Sequence, residues 1–140
     1  MRFKKEIAEE KSVLYIGEGR QLTDIVFLIE KSKRYADQIK SVVFRGRLGA
    51  TKDFAFFVNE FLKECVNLES LMFVNTNLGD LMRNSKNVNV FRDLKGTKLQ
   101  YVNLAQTDLK NNLVERIVLA LKPVRTMQKI NIAENPEIEL

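Results

Sequence analysis

The chain has 140 residues, with 23 Lys and Arg against 18 Asp and Glu and a net charge of +5. Its balance of 45% apolar and 29% charged residues is that of a globular domain, long enough to bury a core without staples. One cysteine, Cys65, and no histidine exclude an intramolecular disulfide, a Ser-His-Asp triad, a Cys-His dyad and histidine-ligated zinc.

In chain order, the charged start from Met1 to Lys11 lacks the apolar stretch of a secretory signal. A first strand is expected around Leu14 and Ile16, from the alternation that marks a half-buried strand. Thr23 and Asp24 then open a helix carrying Ile25, Leu28, Ile29 and Ala36. The alternation returns at Val42 and Phe44. After Thr51, a candidate N-cap, Phe54, Phe57, Val58, Phe61, Leu62 and Cys65 recur at helical spacing on one face. A third strand centres on Leu71 and Phe73. From Gly79 to Lys98 the pattern loosens, and a broken or shorter helix is expected. A fourth strand follows at Val102 and Leu104. Asn111 or Asn112 opens a helix through Leu113, Val114, Ile117, Val118 and Leu121, which Pro123 stops. A fifth strand falls at Ile130 and Ile132.

These strands belong to one repeated pattern. Ile39, Val42 and Phe44 align with Leu68, Leu71 and Phe73, with Leu99, Val102 and Leu104, and with Met127, Ile130 and Ile132. A weaker copy precedes them at Lys11, Leu14 and Ile16. The copies start at 11, 39, 68, 99 and 127, a spacing of 28, 29, 31 and 28 residues. A repeat of this length marks an array of strand-and-helix units, each burying its apolar face on its neighbours.

The pattern resembles the leucine-rich repeat family, in its ribonuclease-inhibitor-like class of 28–29 residues. The resemblance covers about residues 11–140 and implies a short capping helix over residues 1–10, with Phe3 and Ile7 facing inward. It implies a single α/β solenoid of about five repeats, with parallel strands on the concave face and helices on the convex face. The ninth repeat position, held in the family by Asn or Cys, is here Gly19, Arg47, Thr76 and Thr107, and becomes Asn135 only in the last copy. An arginine is costly to bury in that turn.

The fourth and sixth positions of each copy point inward and form the expected core. Phe44 and Phe73 among them read as a packed aromatic step rather than a ligand pocket. The third, fifth and seventh positions face the concave surface, where Tyr15, Val43, Met72, Val74 and Tyr101 form an apolar patch beside Arg45. A patch rich in aromatics and methionine, with few charges, suits a protein partner. The expected function is therefore a non-catalytic protein-interaction or scaffold module. Ile130, Ile132 and Ile138 lie in the last copy, where no following helix covers them, and are the expected contacts for self-association.

The basic charge supports an alternative, an RNA-associated subunit of a ribonucleoprotein particle. Residues 31–52 hold seven bases against Asp37, and residues 83–133 hold ten against three acids. Lys31, Lys33, Arg34, Arg92, Lys95 and Lys98 are the candidate phosphate contacts. They fall on helices and loops, away from the strands. No Gly-rich phosphate loop or paired carboxylate argues for catalysis, and Gly17-Glu18-Gly19 completes no dinucleotide fingerprint because position 22 is leucine. Cys65 lies on the apolar stripe of its helix and reads as a buried thiol. No cofactor, small-molecule substrate or membrane partner is expected, and no apolar run approaches the roughly 20 residues of a membrane span. The expected location is the cytoplasm.

Overall fold

The computed structural model describes residues 13–16, 22–46, 52–79 and 90–135, without the side chains of 22–25 and 52–56. Five strands form one sheet: β1 (Val13–Ile16), β2 (Ser41–Arg45), β3 (Ser70–Val74), β4 (Tyr101–Asn103) and β5 (Lys129–Asn131). Every neighbouring pair is parallel, and the spatial order follows the chain, β1 to β5. Among the described residues three helices with full bounds lie between them: α1 (Leu22–Ser32), α2 (Lys52–Glu64) and α3 (Asn111–Leu121). Short 3-10 segments at Lys33–Gln38 and Leu94–Gly96 complete the connections.

The register reproduces the spacing read from the sequence. Val13 pairs with Ser41, Ser41 with Ser70, Ser70 with Tyr101 and Tyr101 with Lys129, offsets of 28, 29, 31 and 28 residues. A shift of one residue would turn every inward side chain outward, so the alternating pattern fixes this register. The ladder is bracketed by backbone bonds at matching places. The carbonyls of Lys40, Glu69 and Gln100 each accept two N–H groups of the next unit, as Lys40 does from Glu69 and Ser70 at 2.7 and 3.0 Å.

Inward strand residues and helix residues make one core. Leu14, Ile16, Val42, Phe44, Leu71, Phe73, Val102 and Leu104 are buried against Leu28, Ile29, Val58, Phe61, Leu62, Leu113 and Ile117. Phe44 and Phe73 stack with ring centroids 4.8 Å apart and planes 7° apart, and Phe91 meets Phe73 edge-on at 5.8 Å. The aromatic step is thus core packing, worth about 0.5–1.5 kcal/mol per ring pair beyond area burial. Ile130 and Ile132 depart from the expected core. They are half-buried at the end of the sheet, where β5 pairs with β4 alone among the described strands.

The turns after β2, β3, β4 and β5 share one backbone solution. Gly46, Asn75, Gln106 and Glu134, all at the eighth repeat position, have φ of 90, 53, 56 and 59°. This left-handed conformation suits glycine and asparagine and costs other residues roughly 1–2 kcal/mol. It turns the chain so that Asn75 N–H reaches Ala105 O at 3.2 Å and Gln106 N–H reaches Ala133 O at 3.3 Å. Gly79 is required for a different reason. Its N–H donates to Thr107 O at 2.9 Å, and a Cβ there would lie 2.1 Å from Asp108 O.

Helix boundaries shift by a residue from the expectation. α1 begins at Leu22, ahead of Thr23 and Asp24, and breaks into the 3-10 segment after Ser32, whose hydroxyl donates to Leu28 O at 2.7 Å. α3 begins at Asn111 with Lys110 at the N-cap, and ends at Leu121, two residues before Pro123. The chain just before the second 3-10 segment is held by a side chain the pattern did not single out. Asn59, buried on α2, donates to Val90 O at 3.0 Å and Arg92 O at 2.7 Å. The expected capping helix at 1–10, Gly17, Glu18, Gly19, Arg47, Thr51, Met82 and Ile138 lie outside the described residues. Among the described residues no helix is long and apolar enough to cross a membrane.

Candidate functional site

Helices cover one face of the sheet and leave the outward strand positions free, which places six predicted residues together. Register sets Tyr15, Val43 and Met72 side by side in one row, continued by Asn103 and Asn131. Two residues along, Arg45 pairs with Val74, and on the other side Tyr101 lies in the row of Val13, Ser41, Ser70 and Lys129. Adjacent strands are about 4.8 Å apart, so the Tyr15–Val43–Met72 row spans about 10 Å. Tyr15 is the most open of these apolar residues at 42% exposure, while Val43, Met72, Val74 and Tyr101 are half-buried by their neighbours. Arg45 is exposed. The surface is continuous, shallow and mostly uncharged.

Two residues of that face have a role that spacing alone did not reveal. Asn103 Oδ1 accepts the N–H of Ala105 at 2.9 Å, and Asn131 Oδ1 accepts the N–H of Ala133 at 2.9 Å. Each side chain curls onto the turn that follows its own strand, an Asx-type contact that steadies the loop. The signal was present in the sequence as an Asn at the fifth position of two consecutive copies.

The ninth position does its structural work at the end of the sheet. Asn135 is buried and donates to Leu104 O and Ile132 O, both at 2.9 Å. Its Oδ1 accepts the N–H of Thr107 at 3.1 Å and of Leu109 at 3.0 Å. Thr107 adds its own hydroxyl bond to Leu104 O at 2.7 Å. Thr76, one copy earlier, is also buried, yet its hydroxyl has no partner among the described residues.

The candidate phosphate contacts fall in two segments. Lys31, Lys33 and Arg34 sit where α1 meets its 3-10 extension, and Arg92, Lys95 and Lys98 sit around Leu94–Gly96. α2 packs against both segments. Several of these cations are engaged locally. Lys31 and Lys33 lie over the rings of Phe27 and Phe57, each 5.3 Å from the centroid. Lys33 also pairs with Glu30 at 3.4 Å, and Arg92 with Asp93 at 3.7 Å.

At the far end, Ile130 and Ile132 lie on and beside β5, whose outer edge has no partner strand among the described residues, and α3 exposes Val118 at 48% and Leu119 at 67%. Cys65 is wholly buried, its thiol is 3.5 Å from Phe61 O, and burial, with the nearby Glu64 carboxylate, pushes its pKa up to about 12. Such a thiol is a packing group at neutral pH. Comparison with known proteins gives no match: no family model, no curated protein and no solved structure matches this chain.

Proposed function

We propose that the chain is a leucine-rich-repeat-like solenoid that acts as a non-catalytic docking module for another protein. The single observation that carries this reading is the row of Tyr15, Val43 and Met72, flanked by Arg45, Val74 and Tyr101, on the sheet face away from the helices. A face built on paired strands is ordered before a partner arrives, which lowers the entropic cost of binding. Its aromatic and methionine content matches the residues that dominate protein interfaces. The recurrent register and the left-handed residue after β2, β3, β4 and β5 support the repeat reading.

A photo-crosslinking residue placed at Val43, and separately at Lys95, tests the assignment in the cells that make the protein. Docking at the sheet face predicts a discrete protein adduct from position 43 that disappears when Tyr15→Ser is added. Adducts to RNA from position 95, with none from position 43, would replace this reading with the ribonucleoprotein one.

A second contact is favoured by a separate observation. The half-buried Ile130 and Ile132, the open β5 edge and the exposed Val118 and Leu119 suit end-on self-association. Light scattering behind size exclusion is expected to show a defined, salt-resistant oligomer that Val118→Lys and Leu119→Lys reduce to monomer. A monodisperse monomer of the unmodified chain would remove that contact from the account.

A further inference from the structure

The described strands of the sheet face carry charge of one sign only. Among its described strand residues Arg45 and Lys129 are the only charged side chains, both exposed and neither in an ion pair with another described residue. Near Lys129 the surface is also rich in donors. Asn103 and Asn131 are register partners whose Oδ1 atoms are both held by backbone N–H groups. That contact fixes each amide plane, and each Nδ2 has no acceptor among the described residues. The Tyr101 hydroxyl adds a further donor from the strand position beside Lys129.

We propose that this face binds an extended segment of a partner protein in which two acidic side chains flank an apolar centre, one acid near Arg45 and the other near Lys129. The inference rests on the docking reading and names the chemistry of its occupant. Spacing follows from the sheet. Arg45 and Lys129 are three strands apart, about 14 Å, and four residues apart along the strands, about 13 Å, so they are about 20 Å apart across the face. An extended chain covers that distance in about six residues. The line between them crosses Met72 and Val74 on β3 and then Tyr101 and Asn103 on β4. Apolar side chains of the segment therefore meet Met72 and Val74, while its second carboxylate meets the ammonium of Lys129 and the amides of Asn103 and Asn131. Acids are attracted and bases repelled at both ends, which sets specificity as well as affinity.

Selection of a random twelve-residue peptide library against the intact protein tests this directly. The expected clones carry two acids about five to seven positions apart around apolar residues, and they lose binding to the Met72→Glu protein. Arg45→Ala together with Lys129→Ala weakens such a peptide by about threefold to tenfold, the range for two exposed ion pairs. Arg45→Glu with Lys129→Glu turns the selected preference toward Lys and Arg. Both residues are exposed, so circular dichroism of these variants is expected to match the parent. Clones that depend on Met72 but show no preference for acids would overturn the inference and leave the docking reading in place. Clones indifferent to Met72, or no enriched clones, would sink both.

Discussion

Thr76 and Thr107 occupy the same repeat position and are both buried, at 5% and 0% exposure, but only one uses its hydroxyl. Replacing each with valine keeps the shape and exchanges the hydroxyl for a methyl group. At position 107 the change removes the 2.7 Å bond to Leu104 O and the 3.4 Å contact with Asn135 Oδ1. Leu104 O keeps its bond from Asn135 Nδ2 at 2.9 Å, and Asn135 Oδ1 keeps the backbone donors of Thr107 and Leu109. No buried group is orphaned, so the loss is that of one net hydrogen bond, about 1 kcal/mol. At position 76 the hydroxyl is buried without a partner among the described residues. Its desolvation cost, about 1–3 kcal/mol, is uncompensated, and Thr76→Val is expected to stabilise by about 1 kcal/mol. The two variants should therefore differ by about 2 kcal/mol with opposite signs. With a urea slope of about 2 kcal/mol/M, that is about 1 M between their unfolding midpoints, at unchanged slope. Equal shifts in one direction would refute the reasoning, because they would mean that the two turns are bonded alike.

Other expectations follow from the same structure. Gln106→Gly and Glu134→Gly relieve a left-handed residue that carries a Cβ, and each is expected to stabilise by about 0.5–1 kcal/mol in urea unfolding; Gly46→Ala should do the reverse by a similar or larger amount. Asn135→Ala strands the N–H groups of Thr107 and Leu109 and the carbonyl of Ile132, and should cost about 3–5 kcal/mol, seen as a large drop in the thermal midpoint. Gly79→Ala forces backbone apart at Asp108 and is expected to lower the urea midpoint more than any exposed Gly→Ala change. For Cys65, the folded pKa of about 12 lies above the ordinary 9.0, so the folded chain holds a proton that the unfolded chain releases. Its contribution is complete below pH 9 and is lost as pH rises from 9 to 12. Unfolding followed across that window should show a decline that Cys65→Ala lacks, and alkylation of the native thiol at pH 8 should require unfolding.

The strands and their register were legible because burial imposes a period of two, and five copies in phase leave one register. Helix α2 was legible for the same kind of reason, through the stripe from Val58 to Cys65. The left-handed turns were half visible. Gly46 and Asn75 are residues that adopt that conformation readily, whereas Gln106 and Glu134 adopt it only because the neighbouring copies dictate the turn. Asn59 could not be read from spacing, since its partners, Val90 and Arg92, are distant in sequence and contribute only backbone carbonyls. The same holds for Asn103 and Asn131, which look like free surface amides in the sequence and are turned back onto their own loops in the structure. Ile130 and Ile132 fit the core pattern as residues. Their partial exposure depends on position in the sheet, which residue type does not encode. The six residues of the candidate face were legible as a set because they share repeat positions, while the packing of both basic segments against α2 became clear only from the structure.

Docking requires the sheet face to be open in solution, and cysteine accessibility measures that directly. Val43→Cys and Met72→Cys report the outward face, Val42→Cys and Leu71→Cys report the inward one, and native Cys65 serves as a buried reference. In the folded protein at pH 8, a small thiol reagent is predicted to modify positions 43 and 72 at least about a hundredfold faster than 42, 71 and 65, since reaction at buried sites must wait for opening that costs several kcal/mol. Protection of positions 43 and 72 to the level of 42 and 71 would contradict the account, because it would mean that the proposed docking face is already covered.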